Sequence, residues 1–437
     1  MLSRTCARLR GLAPTRQWGI ALTAALATLA AVLIAMNFTG GEKRIQRRFT
    51  RLYSIESPQF ALELNALLGP PLVAGNTVTA LFDGDEIFPP MLEAIHSAQT
   101  SIDFESYIYW SGPIGRQFAD ALTERARHGV PVHVLLDWMG SAKMDAALME
   151  EMKRAGVQVY RYHPPSWYDI GRLNNRTHRK LLVIDGKLGF TGGVGIAPEW
   201  TGHSQDAAHW RDTHFKVEGP VVSQMQAVFL DNWIKVSGEA LHGPAYFPVL
   251  TPVGGLAAQM FSSSPTGGSE SMELMYLLAI TAASRSIDLS AAYFVPDELS
   301  KTALLAALKR GVQVRIIVPG EHIDSETVRL ASKAEWGELL AAGARIFEFA
   351  PTMFHCKAMI VDGLLVSVGS TNFDNRSMRL NDEASLNVLD AGFAKVQTEA
   401  FEADLKRSVA YTHERWLRRP WMEKASEQVV HLFGSQL

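Results

Sequence analysis

The sequence predicts an α/β protein made of two copies of one unit. Each copy is expected as a mixed sheet with helices on both faces (α/β/α), the two sheets packed face to face, with a transmembrane helix in front. Three observations predict it. An uncharged apolar run lies near the N-terminus, a strand–helix–strand pattern occurs twice, and a histidine–lysine–aspartate motif occurs twice at nearly the same interval. The expected division is a membrane anchor over 1–40, a juxtamembrane linker over 41–75, a first domain over 76–250 and a second over 251–437.

The chain has 437 residues, 47% hydrophobic and 20% charged. That composition is too apolar for disorder and too poor in Gly and Pro for a fibre, and the length suits two or three domains. Lys plus Arg number 42 against 45 Asp plus Glu, a net charge of −3. Proteins that grip a nucleic-acid backbone usually carry a basic excess, so no nucleic-acid partner is expected here. The two cysteines, Cys6 and Cys356, suggest neither a disulfide framework nor a zinc site.

From Gln17 through Gly41 no residue is charged, and Trp18 to Met36 is nearly continuous Ala, Leu, Ile and Val. A helix needs roughly 20 such residues to cross the hydrocarbon core. The run has no polar face of the kind a soluble surface helix shows. A cleaved signal peptide usually has a shorter apolar core, about 7–15 residues, followed by a small-x-small cleavage site that is not evident here. An uncleaved, single-pass anchor in the cell membrane is therefore expected. Arg4, Arg8, Arg10 and Arg16 precede it while Lys43, Arg44, Arg47, Arg48 and Arg51 follow, a near balance that leaves the orientation open. The second cluster suits either anionic head groups or a solvated linker.

Ser101-Ile-Asp-Phe-Glu-Ser-Tyr-Ile-Tyr-Trp110 reads as a strand by its β-branched and aromatic content. A helical pattern follows with Ile114, Phe118, Leu122 and Ala126 on one face, stopped by Gly129, and then a strand over Val130–Asp137. The order returns at Ser286-Ile-Asp-Leu-Ser, a helix through Ala303, Leu304, Ala307 and Leu308, Gly311, and a strand from Val312. Strand, helix, strand implies a parallel pair with a crossover helix, and the repetition implies duplication.

His178-Arg-Lys180-Leu-Leu-Val-Ile-Asp185-Gly in the first copy matches His355-Cys-Lys357-Ala-Met-Ile-Val-Asp362-Gly in the second. On a strand, residues two apart share a face, so each His and Lys project together. Asp185-Gly186 and Asp362-Gly363 read as tight hairpin turns. Small residues follow at Thr191-Gly192-Gly193 and Val368-Gly369-Ser370, where a ligand can approach the backbone. Two lysines can neutralise the oxygens of a phosphodiester. A neutral imidazole is a competent nucleophile, and a protonated one can donate to a leaving alkoxide.

A His-x-Lys-x4-Asp motif followed by Gly-Ser-x-Asn resembles the signature of the phospholipase D superfamily, and here the motif occurs twice. Phe104-Glu-Ser-Tyr-Ile-Tyr-Trp, Leu135-Leu-Asp-Trp-Met-Gly-Ser141, Trp210-Arg-Asp-Thr-His-Phe and Ser370-Thr-Asn-Phe-Asp-Asn-Arg-Ser377 are most similar to the bacterial cardiolipin synthase branch, from about residue 75 onward. The resemblance implies a phosphohistidine intermediate, with His178 as nucleophile and His355 as acid/base or the reverse. It implies no metal or other cofactor, Lys180 and Lys357 taking the charge-neutralising part, and it includes Asp185 and Asp362 in the catalytic motif. It implies that Asp212 and Glu383 each orient the histidine of the other half, and that Ser370 and Asn372 contact phosphate. The substrate expected on this basis is a phospholipid, phosphatidylglycerol donating its phosphatidyl group to a second one. Hydrolysis by the same site, a nuclease and a silent membrane scaffold are the alternatives.

One departure stands out. Gly193 and Gly195 occupy the first-copy positions of Ser370 and Asn372, so that half loses a side-chain amide, which would weaken the site or enlarge it. Cys356 should face away from His355 and Lys357 as a buried thiol. His163, His203, His209, His214 and His322 lack metal-ligand spacing. Arg376 suits either a lipid phosphate or an internal salt bridge. The Arg415–Trp421 stretch mixes cations and aromatics, as membrane-interface segments and packed termini both do.

Overall fold

The computed structural model describes residues 14–36, 45–164, 175–264, 271–424 and 427. Pro14–Met36 (α1) is one 23-residue helix, with Trp18 and Leu22 exposed. Among the described residues no helix is long and apolar enough to cross a membrane. The expected transmembrane helix is thus not met by the described part of α1, whose side chains are described only over 18–32. Of the flanking cations, Arg4, Arg8, Arg10, Lys43 and Arg44 lie outside the described residues, as does Cys6.

The stretch expected as a linker carries a helix, Pro58–Leu68 (α2), capped by the Ser57 hydroxyl, with Pro58 in its first turn, where a missing N–H costs nothing. Phe60, Leu64 and Leu68 of α2 recur at helical spacing and enter the core of the second half.

The first half runs β1 (Val73–Phe82), α3 (Asp83–Ser97), β2 (Ile102–Ser106), α4 (Pro113–Arg127), β3 (Val132–Asp137), α5 (Ala146–Arg154), β4 (Gln158–Tyr162), β5 (Arg176–Thr177), β6 (Leu181–Ile184), β7 (Leu188–Gly192), β8 (Thr213–Glu218) and α6 (Val222–Ser237). The second runs β9 (Leu256–Ser263), α7 (Ser271–Ala282), β10 (Ser286–Ala291), β11 (Phe294–Val295), α8 (Glu298–Lys309), β12 (Gln313–Pro319), α9 (Glu326–Ala341), β13 (Arg345–Phe349), β14 (Lys357–Val361), β15 (Leu365–Gly369), β16 (Phe373–Asp374), α10 (Asn375–Arg379), β17 (Asn381–Leu389), α11 (Ala391–Lys406), β18 (Ser408–Tyr411) and α12 (His413–Leu417).

Strand order carries the duplication. The first half reads β1-β8-β7-β6-β2-β3-β4 and the second β9-β17-β15-β14-β10-β12-β13-β18. In each, three parallel strands continue into antiparallel ones, and the His–Lys strand pairs with the Ser-Ile-Asp strand. The crossover helix α4 buries Ile114, Phe118 and Leu122 as its periodicity requires.

The face-to-face packing of two separate sheets needs correction. β1 pairs antiparallel with β9 as well as with β8, so the half-sheets join edge to edge in one 16-stranded sheet, with β5 off the main path against β17. Joining the two inner edges covers strand edges that would otherwise lie open, with a register shift between Val73 and Asn76. Leu181, Val183 and Phe215 of the first half share a buried cluster with Ile360, Val368 and Leu386 of the second, fixing the halves on each other.

Asp185 (φ 55°) and Gly186 (φ 62°), like Asp362 (φ 53°) and Gly363 (φ 63°), are consecutive left-handed residues, as a primed turn requires, and the Lys187 and Leu364 N–H groups close the turns onto the Ile184 and Val361 carbonyls.

Candidate active site

His178 and Lys180 sit just before β6, His355 sits just before β14, which Lys357 opens, and each histidine is tied to the opposite half by its backbone. The His178 N–H donates to the Asp382 carbonyl at 2.9 Å, and the His355 N–H donates to the Arg211 carbonyl at 2.8 Å. Asp382 and Arg211 directly precede Glu383 and Asp212. The side chains repeat the exchange. His178 Nδ1 lies 3.0 Å from both Glu383 oxygens, and His355 Nδ1 lies 2.7 Å from Asp212 Oδ2. Each imidazole is therefore oriented by a carboxylate of the other half. All four side chains are buried.

A carboxylate can only accept, so Nδ1 carries the proton and Nε2 presents its lone pair. Burial, followed by the adjacent lysine charges, holds both imidazoles neutral. His178 is brought down to about 4, with Glu383 opposing the shift, and His355 to about 3. Burial works against the Asp212 and Glu383 charges too. The facing imidazoles and lysines win there, keeping both carboxyls below their usual range. The result is two ionised carboxylates behind two neutral bases.

Lys180 Nζ and Lys357 Nζ donate to the carbonyls of His178 and His355, each at 2.7 Å. Lys357 Nζ also lies 3.1 and 3.2 Å from the two ring nitrogens of His355. Burial, then the charge of Lys357, lowers Lys180 to about 7, and burial lowers Lys357 as well. Two buried ammonium groups, one depressed by the charge of the other, form a ready seat for an anion.

Ser370 Oγ donates to Glu383 Oε2 at 2.5 Å, so its place is behind the carboxylate. Asn372 is buried with its Oδ1 unpartnered, as a side chain awaiting a ligand would be. Asp185 and Asp362 are not brought into this group. Each stands seven residues beyond its histidine, about 23 Å along an extended chain. Asp185 Oδ1 accepts the amides of Gln99, Thr100 and Ser101, and Asp362 accepts those of Ser284, Arg285 and Ser286. They lock the hairpin turn onto the neighbouring strand.

The first-copy glycines are explained by Trp200, which sequence reasoning missed. Its Nε1 donates to Asp212 Oδ2 at 2.8 Å, as Ser370 does for Glu383. A Cβ on Gly193 would lie 2.1 Å from Asp212 Oδ1, and one on Gly195 3.2 Å from the Trp200 ring. Ile108 Cβ lies 2.9 Å from the same Gly195 position, so Ile108 and Trp200 together fill the space there. The missing Asn was the only signal that another side chain holds that place. Tyr107 was also missed as an individual; its ring lies 5.0 Å from that of His178, with Lys180 Nζ 5.5 Å above it.

Cys356 is buried in the shared core, away from the lysine face. His203 and His209 pair with Asp85 and Asp206, His214 is buried and His322 exposed. Among the described residues no cluster of His, Cys, Asp and Glu is suited to hold a metal ion. Arg376 acts electrostatically on Tyr107 and Asp374, at the edge of the site. In the Arg415–Trp421 stretch Trp416 packs, its indole donating to the Lys333 carbonyl at 2.8 Å, while Trp421 is exposed.

A duplicated sheet whose two His–Lys pairs are braced across the halves by carboxylates defines a phospholipase D-type protein. The family model for the cardiolipin synthase, PLD-like domain matches residues 91–233 and 276–405. A probable cardiolipin synthase YwiE of Bacillus subtilis is 35% identical over 364 residues, 83% of this chain and 72% of that protein. Cardiolipin synthase A of Pseudomonas fluorescens is 37% identical over 326 residues, 74% of this chain and 67% of that one. In fold, the chain is similar to phosphatidylserine synthase of Haemophilus influenzae (TM-score 0.63, 13% identity, 87% of this chain and all of that one). The chain belongs to the cardiolipin synthase family of the phospholipase D superfamily and is a phosphatidyltransferase of that superfamily.

Proposed function

We propose that this enzyme transfers a phosphatidyl group from one phosphatidylglycerol to a second, forming cardiolipin and releasing glycerol. The observation that carries the reading is the crossed pair of hydrogen bonds, Glu383 to His178 and Asp212 to His355. It supports a single reaction centre made by both halves.

Nε2 of one histidine attacks the phosphorus while Lys180 and Lys357 hold the non-bridging oxygens. The P–O bond to glycerol breaks, and the other histidine gives its proton to the departing alkoxide. The covalent intermediate is a phosphatidyl–histidine. That second histidine then takes the proton of the acceptor's terminal hydroxyl, whose oxygen displaces the first histidine. The anionic substrate offsets the lysine charges, which restores the affinity of the second imidazole for the proton it must carry. His178 as nucleophile and His355 as acid/base is the assignment preferred by resemblance. The apolar helix α1 and the arginines after it support placement at a membrane surface, where both substrates reside.

Purified full-length protein incubated with phosphatidylglycerol vesicles tests the proposal. Cardiolipin and glycerol in equal amounts are expected. Phosphatidic acid as the sole product would make water the acceptor and overturn the transferase reading.

A further inference from the structure

Residues 45–53 fold back on α7 of the second half and line with it an open cleft of about 480 Å³. Phe49, Tyr53, Leu278 and Ala282 make its wall apolar, and Arg47 and Arg48 stand exposed in its lining. Among the described residues that line it Glu63 is the only carboxylate, and it is engaged by the Tyr53 hydroxyl and the Gln59 amide. Arg51, bonded to Ser284 Oγ at 2.8 Å, and Arg310, close enough to feel its charge, add further positive potential nearby. The adjoining surface exposes Leu52 and Leu62.

We propose that this cleft binds one anionic diacyl phospholipid that does not react. An apolar cleft in the size range of ligand sites takes acyl chain, and the arginines take the phosphate. Neither feature alone selects that ligand; an apolar tail and a negative head must come together. The site is separate from the histidines. Thr281 and Ala282 precede Ser284, whose amide is held by Asp362 at the turn end of β14, seven residues from His355. It also lies near the expected membrane surface. Ile45 follows Met36 of α1 by nine residues, at most about 30 Å of chain. The inference uses the membrane placement proposed above but not the phosphatidyl-transfer chemistry.

The test uses the full chain carrying His178→Ala, so that no probe turns over, in phosphatidylcholine vesicles. These contain a phosphatidylglycerol or a phosphatidylcholine with a photoactivatable diazirine on one acyl chain. Labelling of peptides spanning 45–53 and 278–282 by the anionic probe is expected to exceed that by the zwitterionic one about fivefold or more, the factor one arginine supplies near such a surface. Leu278→Trp should abolish it by filling the cleft. Arg47→Glu with Arg48→Glu, both at the surface, should equalise the two probes even if Leu278→Trp fails to fold. Equal labelling by both probes, labelling indifferent to the arginines, or competition by soluble glycerol phosphate would overturn the proposal. Labelling that persists in a wild-type chain forming no cardiolipin would sink the transferase reading and leave this one standing.

Discussion

Trp200 Nε1 and His355 Nδ1 meet the same oxygen, Asp212 Oδ2, at 2.8 and 2.7 Å. The indole thus fixes the carboxylate that fixes the imidazole. Trp200→Phe removes the donor together with the outer ring of the indole, whose Cζ3 lies against Gly195. Loss of such an outer partner typically costs about 10–100-fold. We expect a fall of that size in kcat with KM nearly constant, and a lower melting temperature from the buried ring and hydrogen bond lost. Full turnover in this variant would reduce Trp200 to a packing residue.

The crossed carboxylates make a stronger prediction. Glu383→Gln and Asp212→Asn keep shape but can stabilise the wrong imidazole tautomer, an exchange that costs about 10⁴-fold in a serine protease triad. Each is expected to lower kcat by about 10²–10⁴-fold. Because the two dyads serve one centre, the double variant should be scarcely slower than the worse single one. Single variants that each kept about half the activity would mean two separate sites.

Gly193→Ser restores the family pattern in the first half on paper, yet its Cβ falls 2.1 Å from Asp212 Oδ1. The carboxylate must move, so overpacking of about 1–3 kcal/mol and loss of activity are expected. A thermal melt and a turnover assay check both. An active, stable Gly193→Ser would show that the Asp212 position is loosely held.

The reach of the sequence can be judged on these residues. The His–Lys pairs, the hairpin turns and the crossover helices were legible because each follows from local periodicity or a repeated motif. The crossed pairing of Asp212 and Glu383 came through resemblance and matches the observed contacts. The β1–β9 union was not legible, since strand partners distant in sequence leave no mark in one chain. Nor was Trp200, whose role depends on a space vacated by two glycines. Asp185 and Asp362 misled because they recur with the motif although they hold turn amides at its far end.

Neutral buried imidazoles set the acid behaviour. With His178 held at about 4 and His355 at about 3, against 6.5 when unfolded, the unfolded chain binds more protons in that window. Stability therefore falls as pH drops from 6.5 toward 4. Urea midpoints should decline across that range, and less steeply with both histidines replaced by Asn. Identical slopes would contradict the neutral state.

At the alkaline side Lys180, lowered to about 7, loses its proton in the free enzyme. We expect kcat/KM to fall above about pH 7. The limb in kcat should lie higher, because a bound phosphodiester anion holds the proton in place. A kcat/KM profile flat into strongly alkaline solution would remove Lys180 from substrate binding.

The claim on which the account rests is that His178 and His355 act on one phosphorus. Substituting each histidine by Ala in turn, adding phosphatidylglycerol, quenching in mild base and mapping the peptides by mass spectrometry tests it directly. The account predicts that neither variant forms cardiolipin at a rate near wild type, and that a phosphatidyl adduct is found on the surviving histidine in one of the two. Two single variants that both retain wild-type turnover, with no adduct in either, would contradict it.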